Sequence, residues 1–216
     1  SYTIIHLTRK SITISAFWKK KKYIDKFKLL DIIGSGGMGT IYKAQNTNEK
    51  SETVALKVLR EDMFTDSAIR KRFKQEAAII DQLDHPHIVK VLERGHSKQH
   101  LYISMELLEG NTLTEKIKKD KRLSLEHAFH ILDQTADALT KIHGKGIIHR
   151  DMKPDNIMLV TRGTDTNYVK LLDFGLAKME HQTRLTQTGM VMGTLSYISP
   201  EQVSGSGAYP ASDVYA

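Results

Sequence analysis

Apolar and polar residues alternate through FKLLDII and again through TIYKAQ, on either side of the cluster GSGGMG, and SETVALKVL follows as a third short run of the same kind. A period of two marks a strand with one buried face, so a small sheet is expected to open the fold. From residue 66 the period lengthens. Ile69, Phe73, Ile80 and Leu83 recur at three- and four-residue spacing, which predicts an amphipathic helix over 66–83 with Thr65 or Asp66 as its N-cap. HIVKVLERG and HLYISMELL read as two further strands with GHSKQ between them.

The character changes at Glu109-Gly110-Asn111. TLTEKIKK is a short helical stretch, and Leu125 to His143 repeats Ala128, Ile131, Leu132, Leu139 and Ile142 until Gly144 and Gly146 stop it. One β-like pair, NIMLV and YVKLLD, flanks the turn TRGTDTN. The order is a β-rich small lobe, a linker and a helix-rich lobe, with no internal repeat.

Composition narrows the class. The 216 residues are 40% hydrophobic and 26% charged, ordinary for a globular chain, and the absence of cysteine excludes disulfides and thiolate metal sites. That fits a reducing compartment, so the cytoplasm is expected, with membrane tethering left to the full-length protein. Of the 32 Lys and Arg, eight lie in residues 1–28 against the single acid Asp25; the other 24 meet 24 acidic groups over residues 29–216. The net charge of +7 is therefore local, and residues 1–26 read as a flexible basic arm able to touch acidic surfaces, with no specific nucleic-acid site. No stretch reaches the roughly 18 apolar residues that span a bilayer. The chain starts at Ser1 and stops at SDVYA without a terminating pattern, so a fragment is expected.

Gly34-Ser35-Gly36-Gly37-Met38-Gly39 fits G-x-G-x-x-G. A dinucleotide fold would open a helix after the last glycine, whereas Thr40-Ile41-Tyr42-Lys43-Ala44 favours a strand; a Walker loop would need lysine where Thr40 stands. Strand, glycine turn and strand suit a hairpin whose backbone N–H groups approach phosphate oxygens. Val54-Ala55-Leu56-Lys57 puts a lysine in a strand made for burial, and such a lysine needs an anion. On the 66–83 helix, Glu76 falls between Phe73 and Ile80 on the apolar face, so Lys57 and Glu76 are expected to form one ion pair.

These features, with HRDMKPDN at 149–156, DFG at 173–175 and GTLSYISPEQ at 193–202, occur in one order over residues 27–213 and resemble a eukaryotic-type protein kinase domain, in the style of bacterial serine/threonine kinases. The resemblance implies an α+β, bilobal fold: a β-rich N-lobe with one helix over 27–105, a hinge at 106–111, and a mainly helical C-lobe from 112, truncated near Asp213 where the supporting helix starts. It implies ATP with Mg²⁺ or Mn²⁺ as cofactors and protein serine or threonine hydroxyls as acceptors, Lys153 matching the Ser/Thr-specific form of the motif.

By the same resemblance, Asp151 orients the substrate hydroxyl, Lys153 steadies the γ-phosphate, Thr194 contacts both, and Asn156 and Asp173 hold the metal. Nucleotide binding falls to Ile33, Gly34, Ser35, Gly36, Gly37, Met38, Gly39, Thr40 and Ile41 in the hairpin, with Lys57 and Glu76. The adenine ring is expected between Ile41, Ala55 and Met158, beside Met105 at the gatekeeper position and Glu106 and Leu108 in the hinge. Arg150, Thr186 and Thr188 are regulatory, through phosphate on the threonines. His149 is expected to pack under Phe174, and His143 to lie at a helix end as a packing or surface residue. Ser199 replaces the family's usual alanine before Pro200-Glu201, a small-for-small change, and Glu201 is expected to pair with an arginine further along. Two other functions remain open on sequence: a non-catalytic module of the same fold, favoured by missing C-terminal helices, and a small-molecule kinase, disfavoured by Arg150 and the GT...SPE segment.

Overall fold

The computed structural model describes residues 23–36, 39–48, 52–65, 67, 73, 83–97, 100–173 and 195–216. Strands β1 (Tyr23–Ile24), β2 (Phe27–Gly36), β3 (Gly39–Asn46), β4 (Thr53–Leu59), β5 (Val91–Ser97) and β6 (His100–Glu106) form one antiparallel sheet, ordered β1-β2-β3-β4-β6-β5. The alternating runs become strands as their pattern requires. In β3 the inward Tyr42, Ala44 and Asn46 are buried while the residues between them are half-buried. The sheet starts at Tyr23, inside the stretch read as a basic arm, because Ile24 is buried in the outer core with Phe27, Tyr42, Ala44, Val54, Leu56, Val58 and Tyr102.

The expected helix is placed differently at its start. Helical backbone already runs over Glu61–Thr65 (α1), so Thr65 is helical and not an N-cap, Asp66 lies outside the described residues, and Leu83, buried, stands outside helical structure. Phe73 is helical and buried, as its periodic position requires.

A second, three-stranded sheet follows the linker. It joins β7 (Gly110–Thr112), β8 (Ile157–Arg162) and β9 (Asp165–Leu171) in that order. The sequence pattern missed β7, since three polar or glycine residues carry no alternation. Gly110 is there because a Cβ would come within 2.1 Å of the Leu159 carbonyl oxygen. Helix α2 (Leu113–Asp120) opens with a capping box in which the Thr112 hydroxyl accepts from the Glu115 N–H and the Glu115 carboxylate accepts from the Thr112 N–H. Helix α3 (Leu125–His143) keeps the bounds its period predicts, capped by Ser124 and ended at Gly144. Its buried face is Ile131, Gln134, Thr135, Ala138, Leu139 and Ile142, whereas Leu132 points out, 61% exposed. Gln134 is buried because its amide grips β9: Nε2 donates to the Asn167 carbonyl and Oε1 accepts from the Val169 N–H, both edge positions of that strand. Short helices α4 (Pro200–Val203) and α5 (Pro210–Tyr215) complete the chain.

One core runs through both lobes. Ala55, Leu59, Leu101, Ile103 and Met105 from the upper sheet join Ile131, Leu139 and Ile142 of α3 and Ile157, Leu159, Val169 and Leu171 of the lower sheet. Backbone bonds stitch the halves: Val89 N–H donates to Leu171 O at 3.0 Å and Leu171 N–H to His87 O at 2.8 Å. No described helix is long and apolar enough to cross a membrane.

Candidate functional site

The upper wall follows from strand register. Ile41 stands opposite Lys57 across β3 and β4, and Ala55 opposite Met105 across β4 and β6. Directly paired residues share a face, as do residues two apart on one strand, so Ile41, Ala55, Lys57 and Met105 all line the inner side. Ala55 and Met105 are buried and Ile41 half-buried. Below, Met158 lies between the inward Ile157 and Leu159 of β8, so it faces the opposite way and is half-buried.

The hairpin over this wall is mostly backbone. Ser35 pairs with Thr40 and Gly36 with Gly39, and Ile33, Ser35 and Gly36 are exposed. Gly39 is sterically required: a Cβ would sit 2.1 Å from the Val58 carbonyl oxygen. Gly34 would tolerate one, its nearest neighbour being Ile41 Cδ1 at 3.6 Å, and at Gly36 nothing lies within 4 Å.

Lys57 is 4% exposed, and its ammonium donates to Asp173 Oδ1 at 2.7 Å, a contact across 116 residues of chain. An unpaired buried ammonium would cost several kcal/mol, so this carboxylate is what permits a lysine in β4. The sequence expected Glu76 as the partner; Glu76 lies outside the described residues, as do Gly37, Met38, Phe174, Thr186, Thr188 and Thr194.

The loop between α3 and β8 gathers the rest. Lys153 Nζ donates to Asp151 Oδ2 at 2.7 Å, and Asn156 Nδ2 donates to the same Oδ2 at 3.0 Å and to the Asp151 carbonyl at 2.6 Å. Both side-chain bonds fall on Oδ2. The Asn156 amide is thereby oriented with its nitrogen toward Asp151, and its own N–H and carbonyl tie to Lys153 and Leu172. The 3-10 turn Pro154–Asn156 starts on a proline that fixes its first φ.

Two residues of this region take left-handed backbone that non-glycine residues avoid: Arg150 at φ 71° and Asp173 at φ 57°. Each such residue costs about 1–3 kcal/mol, so something must hold it. For Arg150 the holder is Asp213, whose buried carboxylate accepts from the Arg150 N–H at 2.7 Å and the His149 N–H at 2.8 Å. His143 Nε2 contacts the same carboxylate at 2.7 Å, so this histidine, read from sequence as packing or surface, is a partner of the buried acid.

His149 is fully buried, with one ring nitrogen at each end of a short relay. Nε2–H donates to the Leu172 carbonyl at 2.8 Å and Nδ1 accepts from the Asp151 N–H at 3.3 Å, which fits the neutral tautomer. Burial pushes its pKa down from 6.5, outweighing the Leu172 carbonyl and the nearby Asp213, Asp151 and Asp173, which favour the charged form.

The linker holds one contact the sequence did not suggest. Glu106 turns its carboxylate to the lower sheet, where Oε1 accepts from Lys170 Nζ at 2.7 Å and from the Lys90 N–H at 2.8 Å. That leaves the Glu106 side chain committed away from the wall formed by Ala55 and Met105. Glu201 also has a local partner: the Ser212 hydroxyl donates to its Oε1, and that bond holds its carboxyl below the usual value.

The proteins to which this chain is similar are of one kind. Residues 27–216 match the protein kinase domain family model. The serine/threonine-protein kinase PknA of Mycobacterium tuberculosis is 43% identical over 195 residues, covering 88% of this chain and 44% of that protein. PrkC of Bacillus subtilis, also a serine/threonine-protein kinase, is 38% identical over 91% of this chain and 30% of its own. The chain thus spans less than half the length of these curated relatives. Among solved structures, the PknI kinase domain of Mycobacterium tuberculosis superposes with a TM-score of 0.69 at 28% identity, over 88% of this chain and 70% of that one.

Proposed function

This chain belongs to the protein kinase domain family, and on that premise we propose that it transfers the γ-phosphate of ATP to serine and threonine hydroxyls of proteins. The observation that carries the reading is the pairing of Lys57 with Asp173 beside a loop in which Lys153 and Asn156 both hold Asp151. Phosphoryl transfer asks a protein mainly to position groups and neutralise charge, and these are the groups it needs.

In this reading Asp151 accepts the hydroxyl proton on Oδ1, the oxygen that neither Lys153 nor Asn156 occupies. Lys153 neutralises the transferred phosphoryl group, and Lys57 takes the inner phosphates. Ile41, Ala55 and Met158 sandwich the purine, with Met105 behind it and the backbone of Glu106 and Leu108 at its edge. The chain also offers what Mg²⁺ or Mn²⁺ requires. The Asp173 carboxylate and the Asn156 amide oxygen are hard oxygen donors, and the Asn156 nitrogen is already turned the other way. Bound there, the metal would neutralise phosphate charge. Phosphate on Thr186 or Thr188, paired with Arg150, is proposed to activate the enzyme, and Thr194 to contact Asp151 and Lys153.

The test is Mg²⁺-dependent transfer of labelled γ-phosphate to the chain itself and to a Ser/Thr-rich protein, with Lys57→Met as control. Transfer that disappears in the variant supports the reading. Transfer to a sugar or antibiotic but to no protein, or undiminished transfer by Lys57→Met, would overturn it.

A further inference from the structure

The peptide bond joining Arg150 to Asp151 is gripped at both ends. Its N–H, on Asp151, donates to His149 Nδ1, and its carbonyl, on Arg150, accepts from Gln202 Nε2 at 3.1 Å. Gln202 sits in α4, 52 residues away, in the segment that ends SPEQ. Its other amide atom is used as well. Oε1 accepts from the Ser199 hydroxyl at 3.0 Å and from the Ser199 N–H at 3.3 Å. Ser199 is fully buried, so its hydroxyl and N–H cannot exchange the Gln202 oxygen for water.

We propose that Gln202 is a positioning residue that sets the plane of the peptide preceding Asp151, with the Ser199 hydroxyl fixing which way the Gln202 amide faces. The proposal rests on the kinase reading of Asp151 and deepens it. Only glutamine meets the demand. A glutamate at 202 has no donor for the Arg150 carbonyl, and an asparagine is one methylene short of a side chain that caps its own helix while reaching another loop. Ser199 is accordingly more than a small-for-small change from alanine: an alanine there would leave the Gln202 oxygen only the longer bond from the residue-199 N–H, at 3.3 Å, and so weaken the hold on which way the amide faces. The arrangement also opposes the strain at Arg150, whose left-handed backbone is held by Asp213 on its N–H and by Gln202 on its C=O.

The test is backbone amide hydrogen exchange on this chain, with Gln202→Met and Ser199→Ala. Loss of the hydrogen bond in Gln202→Met is expected to speed exchange at the Asp151 amide about 3- to 10-fold while β2–β6 amides keep their rates. Ser199→Ala gives a smaller rise at the same amide, and the double variant exchanges no faster there than Gln202→Met alone. Where phosphotransfer is measurable, kcat falls by a similar factor with the KM for ATP unchanged, a split that general destabilisation does not produce. An unchanged Asp151 amide, a uniform rise across the chain, or additive single effects would overturn the proposal. Should Gln202→Met fail to fold, Ser199→Ala decides by the same criterion. Absence of transfer by the parent chain would count against the kinase reading alone, because the exchange comparison decides Gln202 without it.

Discussion

The glycine hairpin and the loop from His149 to Asn156 are built in opposite ways. Residues Ile33, Ser35 and Gly36 are exposed, and the described ends of β2 and β3 are held by their own strand pairing. The loop from His149 to Asn156 is held from outside itself: by Asp213, by Leu172 and by Gln202, through donors and acceptors on both backbone and side chain. On the proposed reading, a lid that admits and releases a nucleotide would gain from few tertiary bonds, whereas groups that align a reaction would gain from many. The difference teaches where stability and function should separate under mutation.

The floor should give the largest response. Asp151→Asn keeps the bonds from Lys153 and Asn156 on one oxygen but removes the proposed base, so turnover should fall about 10²- to 10⁴-fold with nucleotide affinity retained; phosphotransfer rates beside calorimetric nucleotide titration check this, and an unchanged rate would break the assignment. Asp213→Ala should come next, leaving two backbone N–H groups unpaired in a buried place. A loss of about 2–4 kcal/mol is expected in urea unfolding, with the loop disturbed and the hairpin spared. A loss under about 0.5 kcal/mol would mean that water replaces the carboxylate without penalty.

The lid is position-dependent. Gly39→Ala must push β3 away from the Val58 carbonyl and should cost about 1–3 kcal/mol, by the same unfolding measurement. A pH series probes the floor again. Below 6.5 the unfolded His149 binds a proton that the buried ring resists, so the stability it contributes is full above that pH and declines as the pH falls. Unfolding at pH 7.5, 6.5 and 5.5 should show a drop of at most about 1.4 kcal/mol per pH unit from this group, and a shallower drop in His149→Gln. Equal slopes would place the acid sensitivity elsewhere. Gly36→Ala, with open space around its added methyl, should change stability by less than about 0.5 kcal/mol. A penalty equal to that of Gly39→Ala would erase the contrast between the two paired glycines of the hairpin.

Much of the fold was legible because it is written in local period. The alternation of β2, β3 and β4, and the long repeat bounded by Ser124 and Gly144, state their own elements. Where local pattern is silent the reading slipped: β7 has no alternation to read, helical backbone begins at Glu61 before the apolar repeat does, and Leu132 matches the helical period yet faces out. The candidate chemistry-bearing residues are proposed from motifs in a fixed order, a signal independent of packing.

The sequence by itself determined which residues carry charge and which strongly periodic segments form strands and helices, since each depends on neighbours a few positions away. Only the tertiary structure decided who meets whom. It put Asp173 on Lys57, Asp213 under Arg150, Lys170 on Glu106 and Gln202 against the Arg150 carbonyl, pairs separated by 52 to 116 residues. Partners that far apart leave no trace in a local pattern; their meeting is set by how the two sheets and α3 close on a shared core.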